Sequence, residues 1–130
     1  MNREILFKAK RKDNGEWVEG DLIREQDIFG KINTRIYQMK GDGAYQMHEV
    51  DPDTICQCIE RTTEQGKAWE HDLIRLQSGE ICEIVYDRNE CAWCAASIKD
   101  TTKYILLKYA LVTEYIGSKF DHLELIGGAS

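Results

Sequence analysis

The cysteines are the residues whose types and spacing most resemble a reactive or metal-binding set. Cys56-Gln57-Cys58, Cys82 and Cys91-Ala92-Trp93-Cys94 hold enough thiols to supply four thiolates to a tetrahedral zinc. A Cys-x-x-Cys pair is a sound half-site. A Cys-x-Cys pair on a strand sends both thiols to one face while Gln57 turns to the other. The competing reading makes Cys56, Cys58, Cys82, Cys91 and Cys94 small, reduced residues packed in a β core. A redox role for Cys91 and Cys94 requires a lowered thiol pKa, and the helix N-terminus that lowers it in thioredoxin-like proteins is not predicted here.

His48, His71 and His122 are dispersed, and each stands beside an acid. A histidine next to a carboxylate reads first as a surface pair. Asp51 with Asp53, and Glu70 with Asp72, could bind a cation, but acids at such positions more commonly solvate turns. The chain contains no Gly-x-Ser-x-Gly, His-Glu-x-x-His or phosphate-loop sequence. Gly41-Asp42-Gly43 lacks the strand and helix that would make it a phosphate cradle. These residues form no catalytic constellation, so the chain reads as non-enzymatic and without a cofactor.

Trp17, Trp69 and Trp93, with Tyr37, Tyr45, Tyr86, Tyr104, Tyr109 and Tyr115, offer more aromatic surface than a small core needs. A subset on the outside would mark a protein partner's site or a homo-oligomer interface.

The 23 acidic and 17 basic residues give a formal charge of −6. Binding to a phosphate backbone depends on Lys and Arg displacing counterions, so this balance disfavours nucleic acid as a partner. The densest basic stretch, Lys8, Lys10, Arg11 and Lys12, reads as a solvated hairpin end. Met1 to Lys8 carries no apolar run of signal-peptide length, and Tyr104 to Val112 is about half a membrane span. A cytoplasmic protein is therefore expected, a reading that the odd number of cysteines also favours.

Short strands punctuated by turns position these residues. Ile5-Leu6-Phe7 leads to Asn14-Gly15, which reads as a type I′ hairpin turn. Trp17-Val18 and Leu22-Ile23 form strand around Gly20-Asp21, and Ile28 to Met39 reads as one strand or a strand pair. Thr54 to Ile59 is a compact strand with Cys56 and Cys58 on one face. Asp72 to Leu76, a Gln77-Ser78-Gly79-Glu80 turn and Ile81 to Asp87 make the clearest hairpin, with Cys91 to Ile98 as a third strand. The last third reads as a helical turn feeding a strand that ends at Gly117, then a short helical turn over Phe120 to Leu125. The expected fold is mainly β, with a small SH3-like barrel over 51–130, an additional N-terminal β subdomain over 1–50 and a short C-terminal helical turn. One continuous domain is the alternative division.

Residues 15–24 and 66–75 align without gaps, sharing Gly15 with Gly66, Glu19 with Glu70 and Asp21 with Asp72. A Leu-Ile-Arg run follows in both, and each copy has a tryptophan. The expected device is a turn glycine, then an acid bonding turn amides, then a strand entering the core. Each of Asp21 and Asp72 would then contribute about 1 kcal/mol.

The second copy and its surroundings resemble the YopX family of phage and prophage proteins. Gln57-Cys58-Ile59-Glu60 followed by residues 64–75 is similar to that family's Gln-x-Thr-Gly, Asp-x-x-Gly-x-x-x-Glu-Gly-Asp and strand. Arg3-Glu4-Ile5-Leu6-Phe7-Lys8-Ala9 resembles its opening Arg-x-x-x-Phe-Arg-Ala, and residues 114–125 resemble its closing segment. His71 stands where the family has glycine, Glu60 in the Thr-Gly position, and His122-Leu123 in the place of Asn-Pro. The resemblance implies an SH3-like architecture, carriage by phages and prophages, and no assigned activity. The expected function is a phage accessory protein that binds another protein or assembles with itself. An acidic nucleic-acid mimic that blocks a host defence nuclease, and a small zinc-binding module, are the alternatives.

Overall fold

The computed structural model describes residues 6–39, 43–63, 66–100 and 102–126, and these are mainly β. The only helices among these residues are 3-10 turns. Ile5, Gly41, Asp42 and Thr101 lie outside the described residues. The chain divides into two compact units, 1–58 and 59–130.

The first unit contains β1 (Phe7–Lys10), β2 (Trp17–Gln26), β3 (Ile32–Met39) and β4 (Tyr45–Glu49). A 3-10 turn, Pro52–Thr54, then leads into β5 (Cys56–Thr63), within which the division falls. Neighbours pair antiparallel as β1–β2, β2–β3 and β3–β4, and β5 returns to β1 with Phe7 opposite Gln57. An antiparallel bridge between Arg11 and Val50 joins the end of the first hairpin to the residue after β4. Ala9, Val18, Ile36 and Val50 form the buried cluster, with Leu22 and Ile55 packed against it.

β2 serves two partners in succession. Trp17–Gly20 pairs with β1 and Asp21–Gln26 with β3, so Gly20 lies where the strand passes from one to the other. Glycine suits such a corner because a neighbouring backbone can approach closely. A Cβ there would meet the Tyr37 carbonyl oxygen at 2.1 Å.

The second unit contains β6 (Gly66–Trp69), β7 (Asp72–Leu76), β8 (Ile81–Asp87), β9 (Ala92–Ser97) and β10 (Tyr104–Leu106). The 3-10 turn Leu107–Tyr109, β11 (Val112–Ser118) and the 3-10 turns Lys119–Asp121 and Leu123–Ile126 follow. Here β7–β8, β8–β9 and β9–β10 pair antiparallel, and β11 returns to β7. Ile59, Ala68, Ile74, Cys82, Ile84, Ala95, Leu107 and Ala110 form its core. Full burial of one Ile or Leu side chain contributes about 1.5–3 kcal/mol.

The two units therefore share one pairing scheme: a four-strand meander, a 3-10 turn, and a fifth strand laid against the first. In this scheme β1 corresponds to β7, whereas the similar sequences 15–24 and 66–75 fall on β2 and on β6–β7. The sequence similarity thus crosses the structural correspondence.

The first hairpin corrects the type I′ reading of Asn14-Gly15. That turn requires positive φ at both residues, and Gly15 has φ 73° but Asn14 is not among the residues with positive φ. The loop is longer, closed by hydrogen bonds from Arg11 N to Glu16 O and from Gly15 N to Arg11 O, both 2.9 Å. Asn14 Oδ1 accepts from Glu16 N at 2.9 Å, an arrangement that holds the loop open by two further residues. The Gln77-Ser78-Gly79-Glu80 turn joins β7 to β8 with Gly79 at φ 89°.

Candidate functional site

His71 anchors a polar cluster in the second unit. It occupies the turn between β6 and β7 at φ 70°, a left-handed conformation that side chains other than glycine rarely take. Its backbone is fixed on both sides: its N–H donates to Ile84 O at 2.8 Å, and its carbonyl accepts from Lys119 N at 2.9 Å. The imidazole Nδ1 lies 2.6 Å from Glu83 Oε2, and Lys119 Nζ lies 3.0 Å from the same oxygen. The Phe120 ring meets the imidazole edge-on at 5.7 Å, and Glu70 Oε2 is 3.7 Å from Nε2.

Burial opposes ionisation of Glu83 and is the strongest single influence on it. The hydrogen bonds from His71 and Lys119, together with their charge, outweigh that influence and hold the carboxyl below its ordinary range. An ionised carboxylate only accepts, so the proton of the short contact belongs to His71 Nδ1. Glu83 thus joins β8 to the turn before β7 and to the segment after β11.

Asp72 is buried and accepts from Trp69 N at 2.9 Å across the same turn. Asp21 lies exposed within the continuous strand β2, with Glu19 and Gly20 also in that strand. The turn of the first copy instead carries Gly15, and Gly66 opens β6 at φ 106°. One sequence pattern thus serves two local structures. Asp72→Ala is expected to cost about 1–1.5 kcal/mol through the lost turn bond, whereas Asp21→Ala stays within about 0.5 kcal/mol. Urea titrations of both variants check this, and equal losses would contradict it.

Cys56, Cys82 and Cys94 are buried, Cys58 is half-buried, and Cys91 is exposed; all five thiols are free. Cys56 and Cys58 belong to the first unit, the other three to the second. Cys82 stands opposite Ser97 and Cys94 opposite Val85 on the β8–β9 ladder. Among the described residues no three His, Cys, Asp or Glu side chains gather as a ligand set. Burial, aided by the Glu80 charge at Cys82 and by Asp87 and Glu90 at Cys94, pushes these two thiols up, away from the thiolate a metal needs. Asp51 caps the Pro52–Thr54 turn by accepting from Asp53 N at 3.0 Å.

The basic stretch is occupied by partners. Lys8 and Lys10 place their ammonium groups 4.5 and 5.3 Å from the Trp17 ring centroid, Arg11 pairs with Asp13, and Lys12 pairs with Glu49. Trp69 is buried, and Trp93 packs on the core with its ring edge-on to Tyr86.

Large apolar side chains are exposed on both units, among them Tyr86, Tyr104, Tyr109 and Leu111 on the second; those of the first are grouped on one hairpin tip and one ladder face. Ile28 and Phe29 form the tip of the β2–β3 hairpin and are 93 % and 88 % exposed. That tip is held by Asp27, whose Oδ1 accepts from Phe29 N and Lys31 N at 2.9 Å each, and Gly30 closes it at φ 83°. On the β3–β4 ladder Tyr37 faces Met47 and Met39 faces Tyr45, which places all four on one face. Tyr45 is 58 % exposed and Met47 50 %. Beside β4 opens a cleft of about 340 Å³ lined by Arg11, Lys12, Asp13, Met47, His48 and Glu49. The sequence named Tyr37 and Tyr45 as candidates for an exposed face, but it placed Ile28 inside a strand. The Asp27-x-x-Gly30 spacing was the available sign of a turn there.

No described helix is long and apolar enough to cross a membrane. Neither a model of a known protein family nor a curated protein matches the chain.

Proposed function

We propose that this chain is a non-enzymatic accessory protein of a phage or prophage that works by binding a protein partner or by self-assembly in the host cytoplasm. The phage assignment rests on the three YopX-like segments. The second unit is taken as a small SH3-like barrel and the first as an additional β subdomain, a reading supported by the short strands of the second unit and by the return of β11 to β7. The observation that carries the binding reading is the Ile28-Phe29 tip. Two large apolar side chains there face solvent on a turn braced by Asp27, a preorganised anchor that loses little conformational freedom on docking.

The test is affinity capture of the tagged protein from host cells, with and without phage induction, beside an Ile28→Asp/Phe29→Asp variant. The expected result is a stoichiometric partner, or a second copy of the chain, retained by the native protein. A partner that binds through the tip is lost with the variant. A native chain that recovers nothing and stays monomeric overturns the reading.

A further inference from the structure

The four open strand edges of the described residues differ in how they are protected. β10 has three residues and is flanked by Lys103 and Lys108. β11 is broken by irregular register at Val112/Glu114 and at Tyr115/Gly117, and β6 is short and carries Lys67. Short length, lysines and bulges are the devices that keep edges from pairing with other chains. β4 is less protected: Tyr45-Gln46-Met47-His48-Glu49 is regular and itself free of Lys and Pro, and Lys12 covers only its Glu49 end, where it pairs with that carboxylate.

The hydrogen-bond phase of β4 also leaves its outer side available. Val50 N donates to Thr34 O at 3.1 Å, so alternation along the ladder turns the backbone groups of residues 46 and 48 toward β3. Those of Tyr45, Met47 and Glu49 point outward. The Glu49 carbonyl accepts from Lys12 N at 3.0 Å, which leaves Tyr45 and Met47 as the open donors and acceptors.

We infer that β4 pairs antiparallel with β4 of a second copy of this chain about a two-fold axis through Gln46. This rests on the binding reading above and names its occupant. The register is self-complementary. Tyr45 exchanges both backbone hydrogen bonds with Met47 of the other copy, and Met47 with its Tyr45. Gln46 faces Gln46, and two side-chain amides can satisfy each other's donor and acceptor. The strip carries no like charges that self-pairing would oppose. The axis keeps both apolar faces on one side, so Tyr37, Met39, Tyr45 and Met47 of the two copies become one surface. The ladder of β4 ends at Tyr45, and Gly43, two residues earlier, has φ 88°, so regular strand does not extend to Lys12 of the neighbour. A contact this small lies below the area of a permanent interface, so the dimer forms reversibly with concentration.

The test is sedimentation equilibrium from about 1 µM to about 1 mM, beside Met47→Lys and a Gln46→Cys variant in a Cys91→Ser background. Opposed residues of this type bring their Cβ atoms within about 5 Å, close to disulfide reach. Dissolved oxygen takes the two electrons and two protons of the paired thiols. The expected result is a concentration-dependent doubling of mass, weakened at least tenfold by Met47→Lys with no loss of melting temperature. Gln46→Cys then yields a reducible covalent dimer that Ser78→Cys does not. A monomer throughout, or a dimer indifferent to Met47→Lys and unlinked at 46, overturns the inference. A monomer that still captures a partner through the Ile28-Phe29 tip leaves the binding reading standing while this one fails.

Discussion

Gly20→Ala is expected to destabilise the first unit by about 3 kcal/mol or more, among the largest effects a single methyl group can have. A Cβ at this position would stand 2.1 Å from the Tyr37 carbonyl oxygen, 2.9 Å from its carbon and 3.0 Å from Ile36 Cγ2. The first two are backbone atoms of the adjacent strand, so no side-chain rotation relieves the clash. β2 would have to part from β3 at the point where it leaves β1, and Ile36 lies in the buried cluster there. A loss of this size lowers the melting temperature of a small domain by roughly 12–24 °C. Gly15, with no atom within 4 Å of a Cβ, marks the contrast. A shift at Gly20→Ala of only a few degrees would mean that the strands do not approach as described.

The second large effect belongs to Glu83. Glu83→Gln keeps the size of the side chain but removes the charge that holds His71 and Lys119. The expected cost at neutral pH is about 1.5–3 kcal/mol, the range for hydrogen bonds to charged groups. The pH dependence follows from the sign of the shift. The folded pKa of Glu83 lies below its ordinary value of 4.5, so the folded protein favours the ionised form. Its contribution is full above 4.5 and declines as the pH falls through the lower, folded value. The stability gap between native protein and variant should therefore be constant near neutrality and close in acid. Denaturant titrations across that range decide it, and a gap that widens on acidification would contradict the assignment.

The mainly β character was legible in the sequence because its signals are local. Gly79 between two β-branched runs forecast the β7–β8 hairpin, and Cys91 to Ile98 forecast the third strand. The final strand and helical turns were legible near Gly117 for the same reason. What could not be read depends on contacts distant in the chain. Strand was expected around Gly20, but nothing nearby required glycine there; only the approach of Tyr37, far along the sequence, explains it. The similarity of residues 15–24 to 66–75 was visible, but which strand each copy becomes is set by pairing, and pairing is not local. His71 was read as a surface histidine beside an acid. Its partners in space, Glu83 and Lys119, come from two other segments, and no spacing in the sequence announces them.

The shared pairing scheme has a kinetic consequence. In each unit the closing strand must find the opening one across a long stretch of chain, about 50 residues for β5 against β1 and about 36–46 for β11 against β7. Closure over such distances is slow, because chain entropy is lost before the contact rewards it. Until both closures are complete, each opening strand offers an antiparallel docking site that either closing strand can enter. On emergence from the ribosome β5 is available long before β11, so order of synthesis favours the correct partner for β1. Refolding of the whole chain from denaturant removes that order. Exchange between equivalent strands then becomes the characteristic error, and the slow phase of refolding is where it should be found.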